Sequence, residues 1–297
     1  MKYSLRQGNL VPTQLTRRQD LLNEGIHDAW TRLLRRRGTT RLWNEKCKEA
    51  QDRACQVFED NLRRALLAPP RMPSTPLLSL DPGFQAGIKC AILNSNGVVI
   101  QLETVKFLGK DRDRGSKVLA NLLLATQNKG KSEQKPVLVA LGNGHGSQES
   151  RILIQETSDK SNIPIDIQLV NEAGASVWSV TEAAKDEFPN ESAAAVAAIS
   201  LGRRSQNPLH ELVKVPPRSL GLGMYQHDLS ESELDERLHS TSVDAVATVG
   251  VDINDCSVAI LRKVPGLKSL ADKVVRARPF RKRSDLLSVS GLGPKTF

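Results

Sequence analysis

Two glycine turns near the end of the chain carry the residue pattern best suited to hold a ligand. The stretch from Val289 to Phe297 reads hydrophobic-x-Gly-hydrophobic-Gly-Pro-Lys, and a related turn, Val264 to Leu267, lies upstream. Glycine adopts backbone dihedrals that other residues avoid, and proline suits the first turn of a helix. Unpaired N–H groups at a helix start can hold a phosphate. The pattern predicts a tandem helix-hairpin-helix whose second copy is incomplete.

Basic residues flank both turns, where a phosphate backbone would pass. The chain has a net charge of +9, which favours a polyanionic partner such as RNA or DNA. We predict contacts with the sugar-phosphate backbone and little base readout. Two plainer interpretations stay open: a helical corner used only for packing, and a solvated basic surface. The predicted binding residues are Gly266, Lys268, Arg276, Arg278, Arg281, Lys282, Arg283, Gly291, Gly293 and Lys295.

The carboxylates Asp81, Glu172 and Glu191 are the residues that could hold catalytic metal ions. Asp81 ends the first predicted strand of the central region, Glu172 follows the last, and Glu191 precedes a helix. Three or four converging carboxylates can bind Mg²⁺ or Mn²⁺ for phosphodiester cleavage. The alanine-rich helix after Glu191 contains no acid, and the helix dipole alone explains Glu191. We therefore expect no catalytic residue, no metal and no cofactor, and keep these carboxylates as candidates for a metal-dependent nuclease.

The remaining composition argues against several other kinds of site. No Cys-x-x-Cys pair occurs, so structural zinc is not expected. The glycine-rich loop from Gly142 to Ser147 lacks the Gly-Lys-Ser/Thr of a nucleotide-binding P-loop. No apolar run approaches the roughly 20 residues of a membrane helix, so no membrane partner is expected. The sparse cysteines fit a reducing compartment. We expect an intracellular location, in the cytoplasm or the nucleus, and an organelle stays open.

Helices and strands predicted from periodicity would position these residues. Apolar residues recur at three- and four-residue steps in the first block, which predicts helices over residues 14–67. Three meandering strands follow, then a helix, a strand, a helix, a strand and an alanine-rich helix near 192–201. This is the element order of an RNase H-like α/β domain. We place a helical segment at 1–75, the RNase H-like domain at 76–206, a connector at 207–240 and the hairpin module at 241–297.

Six short stretches together resemble the Tex family of transcription accessory proteins and the Tex-like proteins with an S1-type RNA-binding domain. The resemblance implies a multidomain α and α/β architecture, with a helical N-terminal segment, a YqgF-type RNase H-like domain and tandem helix-hairpin-helix motifs. It also implies that segments are missing at both ends, including a C-terminal OB-fold domain that binds RNA. The stretches are Asn61–Pro70, Leu80–Phe84, Asn171–Val177, Gly223–Asp228, Val249–Asn254 and Ser290–Phe297.

These observations lead to one preferred function and two alternatives. We expect a protein that binds the backbone of RNA or DNA and acts in transcription or RNA handling without catalysis. The first alternative is a metal-dependent nuclease of the RNase H or RuvC type, which would use Mg²⁺ or Mn²⁺. The second is a scaffold that binds the transcription or translation machinery.

Overall fold

The N-terminal part of the chain is helical, as predicted. The computed structural model describes residues 12–83, 86–130 and 135–293. The chain divides into two units, one ending at Gln56 and the other beginning at Val57. The first unit contains α1 (Pro12–Asp28), a π-helical segment (Ala29–Leu34) and most of α2 (Arg35–Leu66).

The last turns of α2 belong to the second unit and are well packed. Phe58, Leu62 and Leu66 recur on one face and are buried. Asn61 donates a hydrogen bond from Nδ2 to the carbonyl oxygen of Leu222 at 2.7 Å. These contacts fix the loop around Leu222 against the end of α2.

The second unit is built around a five-stranded mixed sheet with the strand order β3-β2-β1-β4-β5. β1 pairs antiparallel with β2, and β2 with β3, whereas the β1–β4 and β4–β5 pairs are parallel. The carboxyl ends of β1, β4 and β5 therefore meet at one edge of the sheet. This sheet confirms the predicted RNase H-like order. The strands are β1 (Leu77–Asp81), β2 (Ile88–Leu93), β3 (Val99–Val105), β4 (Val137–Gly142) and β5 (Ile165–Val170).

Two long helices cover one face of this sheet. They are α3 (Arg112–Lys129) and α4 (Ser147–Ser161). Successive side chains of a strand point to opposite faces, so Leu78 and Leu80 of β1 both face these helices and join their buried leucines in one core.

The alanine-rich helix α7 (Ala193–Gln206) covers the opposite face. Its small residues let it approach β1 closely: the Ser79 hydroxyl donates to the carbonyl oxygen of Ala198 at 2.6 Å. A Cβ at Gly202 would fall 2.6 Å from a leucine of β2. The alanine-rich composition thus follows from close helix–sheet packing.

Further helices and the hairpin module follow the sheet in the chain, and the longest of these helices is α9 (Glu231–Val249). The helix α9 crosses from the predicted connector into the predicted hairpin module without a break. Within the described ranges, no helix is long and apolar enough to cross a bilayer. The helices are α5 (Ala175–Ser179), α6 (Glu182–Glu187), α8 (Pro208–Leu212), α9 (Glu231–Val249), α10 (Val258–Leu261) and α11 (Ala271–Arg276), with a 3-10 segment at Arg283–Ser288.

Candidate nucleic-acid interface

The first hairpin turn joins α10 to α11. Gly266 has a φ of +82°, in the left-handed region that favours glycine. The amide of Leu267 donates to the carbonyl oxygen of Val264 at 3.1 Å, and the Leu267 side chain is buried. Gly266 and Lys268, which precede and follow Leu267, are both exposed. The turn therefore presents its glycine and its lysine at the surface.

The second turn packs against the first through α11. Gly291 has a φ of +100°, and a Cβ there would fall 3.0 Å from the Leu270 side chain. The Lys273 ammonium donates to the carbonyl oxygen of Ser290 at 3.2 Å. Gly293 has no positive φ, so the expectation that both glycines of this turn need unusual dihedrals holds only for Gly291.

The C-terminal residues of the second motif, including Lys295, lie outside the described residues. The predicted role of Lys295 therefore stays a prediction. Within the described part, Val289 and Leu292 are buried, and the amide of Leu292 donates to the carbonyl oxygen of Val289 at 3.0 Å. The second turn is thus tied into the core of the hairpin module.

The predicted arginines near α11 have different environments. Arg276 is exposed at the end of α11. Arg278 is half-buried, and its guanidinium donates to the carbonyl oxygen of Ile253 at 2.7 Å and to that of Cys256. Arg278 therefore holds a loop of the module in place, which argues against its predicted phosphate contact.

The remaining basic residues precede the second turn. Arg281, Lys282 and Arg283 are exposed. The backbone amides of Arg281 and Lys282 both donate to Oδ2 of Asp285 at 2.9 Å. Asp285, which the sequence did not single out, thus fixes the backbone that carries these basic side chains.

Two further basic residues near the first turn were missed by sequence reasoning. The Lys263 ammonium lies 3.1 Å from Nδ1 of His239, which comes from α9. Burial and the nearby Lys268 lower the pKa of Lys263, and Lys263 is the main cause of a lowered pKa for His239. Lys263 directly precedes the turn and could have been included. His239 lies on a separate helix, and its position in the sequence gave no signal.

The carboxylate pair predicted at the sheet edge does come together. Asp81 ends β1 and Glu172 follows β5; burial, followed by the Glu172 charge, raises the pKa of Asp81 to about 6. The Glu172 carboxylate fits against Gly144, where a Cβ would overlap it. The Glu172 amide donates to Oδ1 of Asn143 at 3.1 Å. The glycine-rich loop after β4 therefore leaves room for the Glu172 carboxylate and accepts a hydrogen bond from the Glu172 backbone.

A buried arginine that the sequence did not single out lies close to this pair. Arg204 of α7 is only 5% exposed. Its Nη1 donates to the carbonyl oxygens of Asn171 and Ala173, at 2.7 and 2.9 Å. Burial lowers the pKa of Arg204, and the charges of Glu211, Glu172 and Asp81 act against that shift. A fixed positive charge thus lies near the carboxylates.

The third carboxylate candidate is not part of this pair. Glu191 is exposed before the N-terminus of α7, and the charges that act on Asp81 are those of Glu172, Arg204 and Lys89. Across the described ranges, no three His, Cys, Asp or Glu side chains are grouped as metal ligands. The geometry of the described residues therefore brings Asp81 and Glu172 together without Glu191, and a role for Glu191 in a nuclease stays a prediction.

The described residues thus combine a five-stranded RNase H-like domain with two packed hairpin turns that carry exposed basic side chains. Residues 75–206 match the family described as Tex protein YqgF-like domain, and residues 246–297 match the helix-hairpin-helix motif. These matches confirm the resemblance to Tex-family proteins seen in the sequence motifs.

Three relatives illustrate the match. The chain is 36% identical to Protein tex of Bordetella pertussis over 99% of its own length, and 38% identical to the transcriptional accessory protein Tex of Neisseria gonorrhoeae over 85%. It is 34% identical to the human S1 RNA-binding domain-containing protein 1 over 93%. The matched chain spans 37%, 33% and 28% of these relatives, respectively.

Proposed function

We propose that this chain binds the sugar-phosphate backbone of RNA or DNA through its hairpin module, in transcription or RNA handling, and does not cleave it. The observation that carries the proposal is the packing of the two turns around α11, with Lys268 and Arg276 exposed beside them. The names of the Tex and S1-domain relatives support the process, since one of them is a transcriptional accessory protein.

The exposed basic side chains favour contacts with the nucleic-acid backbone over contacts with the bases. Long cationic side chains on a surface neutralise phosphates and release counterions, and they carry little sequence information. The predicted interface is made of such side chains and of turn backbone. We therefore expect similar affinities for unrelated sequences and a steep loss of affinity with salt.

Fluorescence anisotropy with a labelled RNA and the corresponding DNA tests this proposal. The logarithm of the binding constant should fall linearly with the logarithm of salt concentration, with a slope of about −0.9 per neutralised phosphate in duplex DNA and about −0.7 in single strands. The double variant Lys268→Ala/Arg276→Ala should bind more weakly and with a shallower slope. Its control, Lys110→Ala/Lys117→Ala, removes two exposed lysines of the RNase H-like domain. Equal losses in both variants would contradict an interface at the hairpins.

A nuclease is the second candidate, because the fold does bring Asp81 and Glu172 together at the sheet edge. Against it, the Arg204 charge lies near the same carboxylates, and Glu191 is not with them. The test is incubation of a labelled branched DNA or RNA–DNA hybrid with the chain and Mg²⁺ or Mn²⁺. We expect no cleavage. Cleavage that disappears in Asp81→Asn would establish the enzyme and overturn the non-catalytic proposal.

A further inference from the structure

Three side chains that can carry positive charge lie near one another beside the first hairpin turn, and they come from three separate segments. His239 comes from α9, Lys263 follows α10, and Lys268 follows the turn. The Lys263 ammonium lies 3.1 Å from Nδ1 of His239. Lys268 is close enough to lower the pKa of both neighbours.

No carboxylate balances this cluster within the part of the chain that the structure describes. None of the three side chains takes part in a salt bridge there, and the only charged groups acting on His239 are Lys263 and Lys268. Glu236 lies three residues before His239 on α9, and Asp235 of α9 and Asp272 of α11 pair with Arg218 and Arg262. None of these acids is among the charges that shift the pKa of His239 or Lys263. Lys263 is half-buried as well. Like charges gathered in a partly buried position are unfavourable unless an anion joins them.

The contact with Lys263 also determines which nitrogen of His239 carries its proton. A lysine ammonium can only donate, so Nδ1 of the imidazole must accept. The neutral ring then carries its hydrogen on Nε2, and that N–H is a donor on an exposed side chain. The cluster therefore offers donors and positive charge together.

We infer that His239, Lys263 and Lys268 form one phosphate-binding site beside the first hairpin turn, and that His239 makes its affinity depend on pH. The inference rests on the proposed binding of a nucleic-acid backbone and adds α9 to the interface. A bound phosphodiester attracts the Lys263 ammonium away from Nδ1 of His239, so that this nitrogen can take up a proton, and it offsets the positive charge of the imidazolium and the two lysines. Binding then takes up a proton, so affinity rises as the pH falls through the ordinary range of histidine.

The test is the affinity of the whole chain for one labelled RNA between about pH 5 and about pH 8 at constant ionic strength. Since one pKa unit corresponds to a tenfold change, we expect affinity to increase by up to about 10-fold toward low pH. His239→Gln should still bind but lose this increase. The matched control is His227→Gln, which removes another exposed histidine and should keep the increase.

A second readout separates the two proposals. The pKa of His239, followed by NMR, should rise when inorganic phosphate is added to the free chain, and this rise should disappear in Lys263→Met/Lys268→Met. If RNA binds but His239→Gln keeps the pH dependence of the unsubstituted chain, the site is wrong while the proposed function stands. If no nucleic acid binds at any pH, the proposed function fails. If, in addition, the pKa of His239 does not change when phosphate is added, the proposed site fails as well.

Discussion

At the sheet edge, Asp81 and Glu172 lie near the buried guanidinium of Arg204, whereas at the first hairpin turn His239 and two lysines lie together without a carboxylate among the described residues. Both regions gather charged groups, and both occur where the sequence predicted function. They differ in whether the opposite charge is supplied by the chain itself.

This difference separates a structural role from a binding role. A buried charge that is paired with an opposite charge of the same chain contributes to a particular packing arrangement. Removing one partner of such a pair lowers the stability of the fold. A set of like charges at the surface is relieved by an external counterion instead. This contrast supports our proposals that the sheet edge is not catalytic and that a polyanion binds at the hairpin module.

Arg204→Met should produce the largest effect, because it removes the positive charge at the sheet edge. The buried Glu211 and the carbonyl oxygens of Asn171 and Ala173 would each lose a favourable interaction. We expect a loss of about 3–5 kcal/mol in the free energy of unfolding, measured by urea denaturation. A loss below about 1 kcal/mol in this variant would show that Arg204 does not balance these acids.

Two arginines near the end of α11 allow the structural role and the binding role to be compared within the hairpin module. Arg278→Ala removes hydrogen bonds to the carbonyl oxygens of Ile253 and Cys256, and should lower the free energy of unfolding by about 2–3 kcal/mol. Arg276→Ala removes an exposed side chain, and should leave stability within about 0.5 kcal/mol while weakening RNA binding. Thermal unfolding and anisotropy on both variants distinguish the roles. The opposite pattern would reverse our assignment of the two residues.

Asp81→Asn should stabilise the chain at neutral pH. The pKa of Asp81 is raised to about 6. Stability is therefore lost as the pH rises from the ordinary pKa of an aspartate, about 4, to that value, and the loss is complete above it. The substitution should therefore add roughly 1–3 kcal/mol above about pH 6, with the gain vanishing below about pH 4. Unfolding midpoints across this pH range measure it. A gain that is independent of pH would point to a cause other than the charge, and RNA affinity should not change.

Lys268→Ala should have the smallest effect and leave stability unaltered. Loss of one phosphate contact should reduce the magnitude of the salt slope of RNA binding by about 1. The slope is measured by repeating the anisotropy titration at several salt concentrations. Lys117→Ala, which removes an exposed lysine of α3, should leave the slope unchanged. If both variants changed it equally, net charge and not a site at the hairpin would govern binding.

Much of the architecture was predictable because it depends on local patterns. The short apolar run of β1, the alanine-rich stretch of α7 and the glycine of the first turn each act over a few residues. These patterns predicted the helical segment, the RNase H-like sheet and the hairpin module. They also brought Asp81 and Glu172 to one edge, since the carboxyl ends of parallel strands meet there.

By itself, then, the sequence determined the class of fold and the order of its elements, and it led us to propose the hairpin module as the region that binds a phosphate backbone. Only the tertiary structure decided which charges face one another. It directs Arg278 into the fold, places Arg204 near the acids and brings His239 to Lys263 across 24 residues. The reason is physical: a turn or a strand is specified by neighbours in sequence, whereas the strength and sign of an electrostatic interaction depend on distances that only the packed chain defines.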